Sequence, residues 1–434
     1  MELTGKRLLL MGGGAFAKSV KKYADEKGFY MIGVGASADT PVSKIANEFY
    51  EIDTQDVDAV SALVLEKKID GIFVGSSEVN IVPAIAVSER TGCRFYVNRN
   101  QWDLLSNKAR FKELAQQFGV PVPQGYQVTE EFRREDLDKI KYPVIVKPVD
   151  GAGARGMNPC YNEEELKKYY LEALNWSKSK KVVVEELITE GDEVFFQYTI
   201  QDGECSLTSC FTKVFVKSQN KNLILPLFHM YPSKHIDVYF ADVHENAKKL
   251  FRAANVNNGV MTLQSFYKEG RFYFFEAGFR MGGAQNYILT DYQWGFNPLE
   301  CMINYALTGK MSDTSILEVD NAKFRHPCCN YYVGLKPGTI AKMGAVEETE
   351  KLPGVLNITR MCSVGKQIPD TNALQRICLR IHVVGETAEK LAENLVRISK
   401  TLDIRDENGN DMQLEPLEYE RCLDAVRYCC MLNN

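Results

Sequence analysis

A run of aromatic residues that ends in a carboxylate is the stretch of this sequence best suited to chemistry. Residues 272–275 are consecutive aromatics, which predicts a strand buried on both faces, and Glu276 follows them directly. The apolar run 259–263 leads into Gln264, and the polar turn 268–271 between the two runs predicts an antiparallel hairpin. Such a hairpin brings Gln264 close to Glu276, and two oxygen donors suit a hard cation such as Mg²⁺.

A second interpretation of the same stretch is purely structural. Arg280 lies four residues after Glu276, so a surface glutamate paired with that arginine would also satisfy the pattern. The rest of the chain favours the chemical interpretation, because it supplies further groups suited to one ligand. Those groups are two lysines, Lys108 and Lys147, a glycine-rich loop at 151–156, and two acids, Glu185 and Glu193. A nucleoside triphosphate needs cations, a backbone-rich loop over its phosphates and a metal ion.

The elements that must position these residues begin with strands that alternate with helices. Residues 6–11 and 30–34 read as strands around a helix at 15–27, and similar units continue to about residue 97. Such alternation predicts a parallel, doubly wound sheet. The first turn carries Gly12, Gly14 and Ala17, with Asp39 after the second strand, which formally matches the dinucleotide fingerprint. A tight turn that needs small residues explains the same pattern.

Size and composition set wider limits. A chain of 434 residues predicts two to four domains. The net charge of −5 gives no electrostatic reason to expect a nucleic-acid or membrane partner, and no apolar run is as long as a bilayer span. The 12 cysteines have no zinc-like spacing, so we expect buried free thiols and a cytoplasmic protein.

In this order, the motifs resemble the ATP-grasp superfamily over roughly residues 1–310. The resemblance implies an α/β and α+β fold: a Rossmann-like domain at 1–105 and a two-lobed ATP-grasp domain at 106–310 with a mobile lid at about 122–187. A β-rich α+β domain would follow at 311–434. That last part resembles the C-terminal domain of bacterial L-amino-acid ligases, through glycines and prolines at 338–340, 352–355 and 365–368, an alternating strand at 376–384 and a helix at 387–402. A packing module without a chemical role is the alternative.

The resemblance also implies a role for each matching residue. These roles are phosphate contacts by Lys108 and Lys147, closure of the loop containing Gly151, Gly153 and Gly156 over the β- and γ-phosphates, adenine recognition by the Glu185 side chain and the Leu187 backbone, ribose binding by Glu193, metal binding by Gln264 and Glu276, and binding of the acceptor substrate or acyl-phosphate oxygens by Arg280.

Two positions depart from the family pattern. Gln264 stands where most members have Glu, although carbamoyl-phosphate synthetases also have Gln there, so the site carries one charge less. Gly278 stands where the family usually has Asn, which puts a second metal ion in doubt. Both departures concern catalytic detail and leave ATP binding in place.

The predicted activity is an ATP-dependent ligase that joins a carboxylate to an amine through an acyl phosphate, with Mg²⁺ or alternatively Mn²⁺ as the metal. The expected partners are small molecules, and a homodimer stays open. Within the superfamily, a carboxyphosphate-forming or purine-pathway enzyme is the alternative. From other classes, a dinucleotide-dependent oxidoreductase built on Gly12, Gly14 and Ala17 and a non-catalytic nucleotide-binding protein stay open.

Overall fold

The computed structural model describes residues 1–149, 156–216, 225–370 and 374–431. Among these residues the strands are β1 Arg7–Met11, β2 Tyr30–Gly35, β3 Glu48–Glu51, β4 Gly71–Phe73, β5 Gly125–Tyr126, β6 Val144–Pro148, β7 Asn158–Cys160, β8 Val182–Glu186, β9 Asp192–Gln201, β10 Glu204–Phe215, β11 Pro226–Tyr231, β12 Gly259–Lys268, β13 Arg271–Gly278, β14 Cys328–Gly334, β15 Gly338–Gly344, β16 Val355–Arg360, β17 Gln367–Ile368, β18 Ile377–Val384 and β19 Asp403–Asp406.

The α-helices of the same residues are α1 Ala17–Lys27, α2 Val57–Glu66, α3 Ile81–Thr91, α4 Arg99–Ser106, α5 Lys108–Gln117, α6 Arg134–Leu137, α7 Glu163–Trp176, α8 Ile236–Asp242, α9 His244–Ala253, α10 Tyr287–Trp294, α11 Pro298–Thr308, α12 Ile316–Val319, α13 Val346–Glu350, α14 Ala388–Thr401 and α15 Tyr419–Cys429. Short 3-10 helices cover Gly14–Phe16, Glu78–Asn80 and Leu374–Arg376.

The first sheet is parallel, as the alternation of strands and helices predicts. Its strand order is β3-β2-β1-β4. The turn after β1 needs glycine, because Gly12 and Gly13 both have positive φ angles, 71° and 68°. A later part of the chain packs closely against the sheet: a Cβ atom at Gly71 would lie 1.9 Å from the carbonyl oxygen of Ala306 on α11. Glycine at position 71 therefore lets the first sheet approach the body that follows.

The main body is an eight-stranded sheet with the order β13-β12-β9-β10-β11-β14-β18-β16. Its neighbouring strands are antiparallel. Strands β14, β16 and β18 come from the predicted C-terminal domain, so the sheet continues across the predicted boundary at residue 310. The division into three domains stays a prediction.

Strand β13 lies at the edge of this sheet, and the prediction that both of its faces are buried is wrong. Phe272 and Phe274 are buried, whereas Tyr273 and Phe275 are only half-buried. The Phe274 N–H donates to the Pro121 carbonyl at 2.8 Å, so a loop covers part of the edge. The half-buried face is consequently available to line a cleft.

A smaller sheet lies within the range predicted for the lid. Its order is β5-β8-β6-β7, and α7 packs against β6. These elements have their own apolar core, which includes Val144, Val146, Leu166 and Val184. Gly151 and Gly153 of the predicted lid loop lie outside the described residues. Gly156, at the end of that loop, has a positive φ of 71° and a Cβ there would lie 2.7 Å from the Trp176 ring.

The C-terminal part contains the predicted helix, which the structure places at Ala388–Thr401 with Thr387 as its N-cap. The strand predicted at 376–384 is confirmed as β18, and every one of its residues is buried, Arg380 and His382 included. No helix among the described residues has both the length and the apolar character needed to cross a bilayer.

Candidate active site

The predicted hairpin forms and brings the two predicted metal ligands together. In the register of β12 and β13, Gln264 is the direct partner of Glu276. A register shift follows at once, so that Ser265 pairs with Phe274. The turn uses positive φ angles at Glu269 and Gly270, as a tight hairpin requires. The prediction that the hairpin pairs these two positions is therefore confirmed.

The donor set of this pair fits a magnesium ion. Gln264 and Glu276 are both half-buried, and within the described ranges no cationic side chain lies within ion-pair distance of Glu276. Those same ranges hold no group of three or more His, Cys, Asp and Glu side chains that could bind a metal by themselves. Mg²⁺ commonly takes one or two protein oxygens and completes its shell with phosphates and water, so two ligands suffice.

The glycine at position 278 has a steric explanation. Gly278 pairs with Thr262, whose hydroxyl donates to the Gly278 carbonyl at 3.2 Å. A Cβ atom at Gly278 would lie 2.7 Å from that hydroxyl oxygen. The larger Asn usual in the family would thus require Thr262 to move.

A buried cluster of charges faces the hairpin from the lid and from α5. Glu185 on β8 forms ion pairs with Lys147 on β6 and with Lys112 on α5. The three side chains are 1%, 7% and 10% exposed, respectively. The Lys147 ammonium also lies 5.7 Å from the centre of the Phe275 ring on β13. Lys147 therefore lies on the side of the lid that is close to the predicted metal pair.

Three lysines converge on this cluster, and the pKa values of two of them, Lys112 and Lys147, are lowered. Burial lowers the pKa of Lys112, and the positive charges of Lys147 and Lys108 act in the same direction. Burial and Lys108 likewise lower the pKa of Lys147, whereas Glu276 raises it. Lys108 is the first residue of α5, directly after its N-cap Asn107. A concentration of positive charge of this kind is what a polyphosphate needs.

The sequence did not identify Lys112, although it carries a signal. Lys112 follows Lys108 by four residues, which places both on one face of α5. Phe111 and Ala115 lie on the same buried face of α5 and belong to the core of the main body. The ion pair of Lys112 with Glu185 consequently connects that body to the lid.

The residues predicted to recognise the nucleoside have contacts that limit their roles. The Glu185 carboxylate is already paired with two lysines, and the Leu187 N–H donates to the Pro143 carbonyl at 3.1 Å. The Leu187 carbonyl and side chain are left for an adenine ring. Glu193 on β9 forms an ion pair with Lys213 on β10, and both side chains are partly exposed. The nucleoside contacts of all three residues stay predictions.

Arg280 lies beyond the hairpin and reaches the first sheet. Its guanidinium donates to the Glu78 carboxylate at 3.0 Å and to the Met281 carbonyl at 3.2 Å. Glu78 begins the short helix that follows β4. The carboxyl ends of parallel strands commonly carry binding residues, and that position was the available signal for Glu78. The acceptor role of Arg280 stays a prediction, with Glu78 as its orienting partner.

The loop after Arg280 is held by buried polar side chains of the C-terminal part. Asn330 and His382 both donate to the Ala284 carbonyl, each at 3.0 Å. Arg380 donates to the Gly283 carbonyl and to the Gln285 side chain. Burial lowers the pKa of His382 to about 3, so the ring is neutral and donates through Nε2. We name residues 282–286 the acceptor loop.

Several polar atoms around the acceptor loop have no hydrogen-bond partner among the described residues. They are Nε of Arg380, Oδ1 of Asn330 and Nε2 of Gln197, and all are buried. Buried polar atoms are normally satisfied, so this concentration indicates a place for a polar ligand. Sequence reasoning missed Arg380, whose signal is a charged residue in an otherwise apolar run.

A smaller sheet faces a larger sheet with buried lysines between them, which is the arrangement expected of an ATP-grasp domain. Residues 107–314 match the family model "Carbamoyl-phosphate synthase L chain, ATP binding domain", so this part of the chain is an ATP-grasp domain. The Sulfurisphaera tokodaii formate-dependent phosphoribosylglycinamide formyltransferase is 25% identical over 240 residues, which cover 54% of this chain and 56% of the relative. The chain thus spans about half the length of that relative.

Solved structures extend the likeness to nearly the whole chain. The biotin carboxylase domain of the Hydrogenobacter thermophilus 2-oxoglutarate carboxylase, a dimer bound to MgADP, ADP and bicarbonate, superposes with a TM-score of 0.77 at 18% identity and covers 98% of this chain and 94% of its own. An L-amino acid ligase from Bacillus licheniformis gives 0.75 at 17% identity, covering 93% of this chain and 100% of its own. At these identities the likeness establishes the ATP-grasp fold.

Proposed function

We propose that this protein is an ATP-dependent ligase that joins a carboxylate to an amine. An oxygen of the carboxylate attacks the γ-phosphorus of ATP, which breaks the bond to ADP and forms an acyl phosphate. The amine nitrogen then attacks the acyl carbon, phosphate leaves, and the nitrogen loses a proton. The products are an amide, ADP and phosphate, and no intermediate is covalently bound to the protein.

The observation that carries this proposal is the placement of Lys147 beside the paired Gln264 and Glu276. The two oxygen donors belong to the main sheet, the lysine belongs to the lid, and the ring of Phe275 joins them. Phosphoryl transfer is catalysed mainly by positioning and by neutralising the transferring group. A lysine of the lid near two oxygen donors of the main sheet would meet that need.

A magnesium ion bound by Gln264 and Glu276 would neutralise charge on the β- and γ-phosphates of ATP. Lys108 and Lys147 would contact the phosphates from α5 and from the lid. The loop containing Gly151, Gly153 and Gly156 would close over them, while Glu193 would bind the ribose and Leu187 would contact the adenine. For Glu185 we propose a different role from adenine recognition, namely orientation of the Lys147 ammonium.

The acceptor would bind between Arg280 and the acceptor loop. Arg280 has several donors, of which Glu78 and the Met281 carbonyl use some, and the unpartnered Nε of Arg380 lies in the wall behind the loop. Guanidinium groups suit carboxylates and acyl-phosphate oxygens. We therefore place the substrate carboxylate on the Arg280 side of the hairpin, where it faces the phosphates.

The test is ADP formation with panels of carboxylates and amines, supplied singly and in pairs. The panel includes amino acids, because a Bacillus licheniformis structural neighbour is an L-amino acid ligase. It also includes formate with phosphoribosylglycinamide, the compounds after which the Sulfurisphaera tokodaii relative is named. We expect ADP release that requires one carboxylate and one amine together. ADP release driven by bicarbonate alone would instead support a carboxyphosphate-forming enzyme.

Two further proposals concern the protein's state and surroundings. Every one of the 12 cysteines is a buried free thiol, which is typical of a reducing compartment, so we propose the cytoplasm. A structural neighbour is a dimer, and we propose that this chain also forms a homodimer. Sedimentation velocity over a range of protein concentrations tests the second proposal.

A further inference from the structure

A second cavity lies away from the ATP cleft, between the first sheet and the C-terminal part. Its volume is about 580 Å³, which is within the range of small-molecule sites. One wall is formed by Lys18 of α1 and by residues of the segment 39–45, and the other by residues 360–366. We name it the interdomain pocket.

The interdomain pocket is strongly basic in a protein whose net charge is −5. Its lining includes four cations, Lys18, Lys44, Arg360 and Lys366, and one carboxylate, Asp39. Asp39 pairs with Lys44 at 2.7 Å, and Arg360 pairs with Glu347, which lies outside the lining. Within the described ranges no carboxylate forms an ion pair with Lys18 or Lys366. All four cations are exposed to solvent, and Lys18 and Lys366 are available to an anion that enters the pocket.

The pocket lining also contains hydroxyl and thiol side chains. Thr40 and Ser363 contribute hydroxyls to the lining, and Cys362 contributes a thiol. The neighbouring Cys378 thiol and the Lys366 ammonium lower the pKa of Cys362. The smaller contribution of Lys366 places its ammonium close to the Cys362 thiol in the pocket lining.

A chain of contacts connects the interdomain pocket to the acceptor loop. Thr359, next to Arg360, donates to the Gln285 side chain at 2.7 Å. Gln285 donates in turn to the Ala15 carbonyl, three residues before Lys18 on the opposite wall. Gln285 therefore contacts residues close in sequence to each wall of the pocket, from the side of the acceptor loop.

We propose that the interdomain pocket binds the phosphate group of a small molecule. A phosphate monoester carries up to two negative charges and three acceptor oxygens, which suits several converging ammonium and guanidinium groups better than a single carboxylate does. The phosphate comes either from the acceptor substrate itself, reaching past Gln285, or from a separate effector. The first source rests on the proposed ligase function, whereas binding itself does not.

The direct test is calorimetric titration of glycerol 3-phosphate into the full chain without ATP, at constant ionic strength. Glycerol and sodium chloride serve as the neutral and ionic controls. We expect saturable binding with a Kd of about 1 mM or lower. We also expect glycerol 3-phosphate to slow alkylation of Cys362 by iodoacetamide, measured by mass spectrometry. No saturable binding, or no protection of Cys362, would overturn the proposal.

Variants locate the binding. The double variant Lys18→Gln/Lys366→Gln should weaken binding by about tenfold or more, because each lost cation removes a charge-assisted contact. Lys22→Gln on the same helix α1, an exposed lysine, is the matched control and should bind as the wild type does. Equal binding by the double variant and wild type would show that the anion binds elsewhere and overturn the assignment. Both variants should keep the ATP-dependent rise in Tm, since the pocket is separate from the ATP cleft.

Kinetics distinguish the two sources of the phosphate. If the acceptor carries it, the double variant should raise KM for a phosphorylated acceptor and leave KM for ATP unchanged. If a separate effector carries it, glycerol 3-phosphate should change kcat with an unphosphorylated acceptor. Failure of the ligase assay alongside successful titration would refute the proposed function and leave the phosphate site standing.

Discussion

Glu185→Gln should destabilise the protein strongly, because the substitution leaves two buried ammonium groups without a counter-charge. The glutamate is 1% exposed, and its partners Lys112 and Lys147 are 10% and 7% exposed. Removal of one partner from a buried ion pair costs about 3–5 kcal/mol of unfolding free energy. Chemical denaturation at pH 7, monitored by tryptophan fluorescence and circular dichroism, measures the loss.

The same variant should have a stronger pH dependence of stability than the wild type, with a known sign. Burial lowers the lysine pKa values in the folded state, and loss of the Glu185 charge lowers them further. Between those values and the ordinary lysine pKa of about 10.4, the unfolded chain binds more protons than the folded chain. Stability of the variant should therefore rise as pH increases through that interval.

The control is Glu163→Gln, which makes the same substitution in an ion-paired residue of the same lid. Glu163 is 35% exposed and pairs with Arg134 and Lys167, so solvent screening should make its loss nearly neutral. The restoring variant is Lys112→Met combined with Glu185→Leu, which removes one unpaired charge and should recover part of the stability. Equal stabilities of Glu185→Gln and Glu163→Gln would refute the assignment of a buried charge cluster.

Three other predictions concern the acceptor, a buried carboxyl and the lid. Arg280→Gln should raise KM for the carboxylate substrate by about tenfold or more while KM for ATP stays unchanged, as steady-state kinetics would measure; equal effects on both would refute an acceptor role. Burial raises the pKa of Asp320 to about 7, so the folded chain binds the extra proton between about pH 4 and 7, and stability should fall as pH rises through that window. Asp320→Asn should remove this dependence in denaturation curves, and a variant that keeps the wild-type slope would contradict the assignment. ATP with Mg²⁺ should slow hydrogen exchange in β6, β7 and β8, and an unchanged exchange pattern at saturating ATP would argue against a lid that closes on the nucleotide.

Local sequence signals were enough to predict the secondary-structure elements that position the site. The hairpin of β12 and β13 follows from two apolar runs around a polar turn with glycine, and the pairing of Gln264 with Glu276 follows from that register. The parallel first sheet and α14 likewise follow from periodicity and capping. Each of these features depends on residues that are close in sequence.

Features that depend on long-range packing were not accessible in the same way. Consecutive aromatics at 272–275 predict burial on both faces, but the position of β13 at the sheet edge leaves one face half-buried. The pairing of Glu185 with Lys112 joins residues 73 positions apart on different elements, so the sequence offered only an adenine role for that carboxylate. Arg380 and His382 were read as parts of an alternating strand, and their burial involves the distant strands β14 and β16 and the acceptor loop.

The central claim is that Glu276, with Gln264, holds the magnesium ion used in phosphoryl transfer. The measurement is steady-state ADP formation by Glu276→Gln across a Mg²⁺ titration, with Gln264→Glu as the matched variant and cooperative melting verified for both. We expect kcat of Glu276→Gln to fall by about 100-fold or more even at saturating Mg²⁺, because the metal stabilises charge that develops in the transition state. Gln264→Glu should retain activity, since it restores the commoner ligand of the superfamily. Turnover by Glu276→Gln at near the wild-type rate and at low Mg²⁺ would contradict the account and leave Glu276 as a carboxylate at the end of a strand.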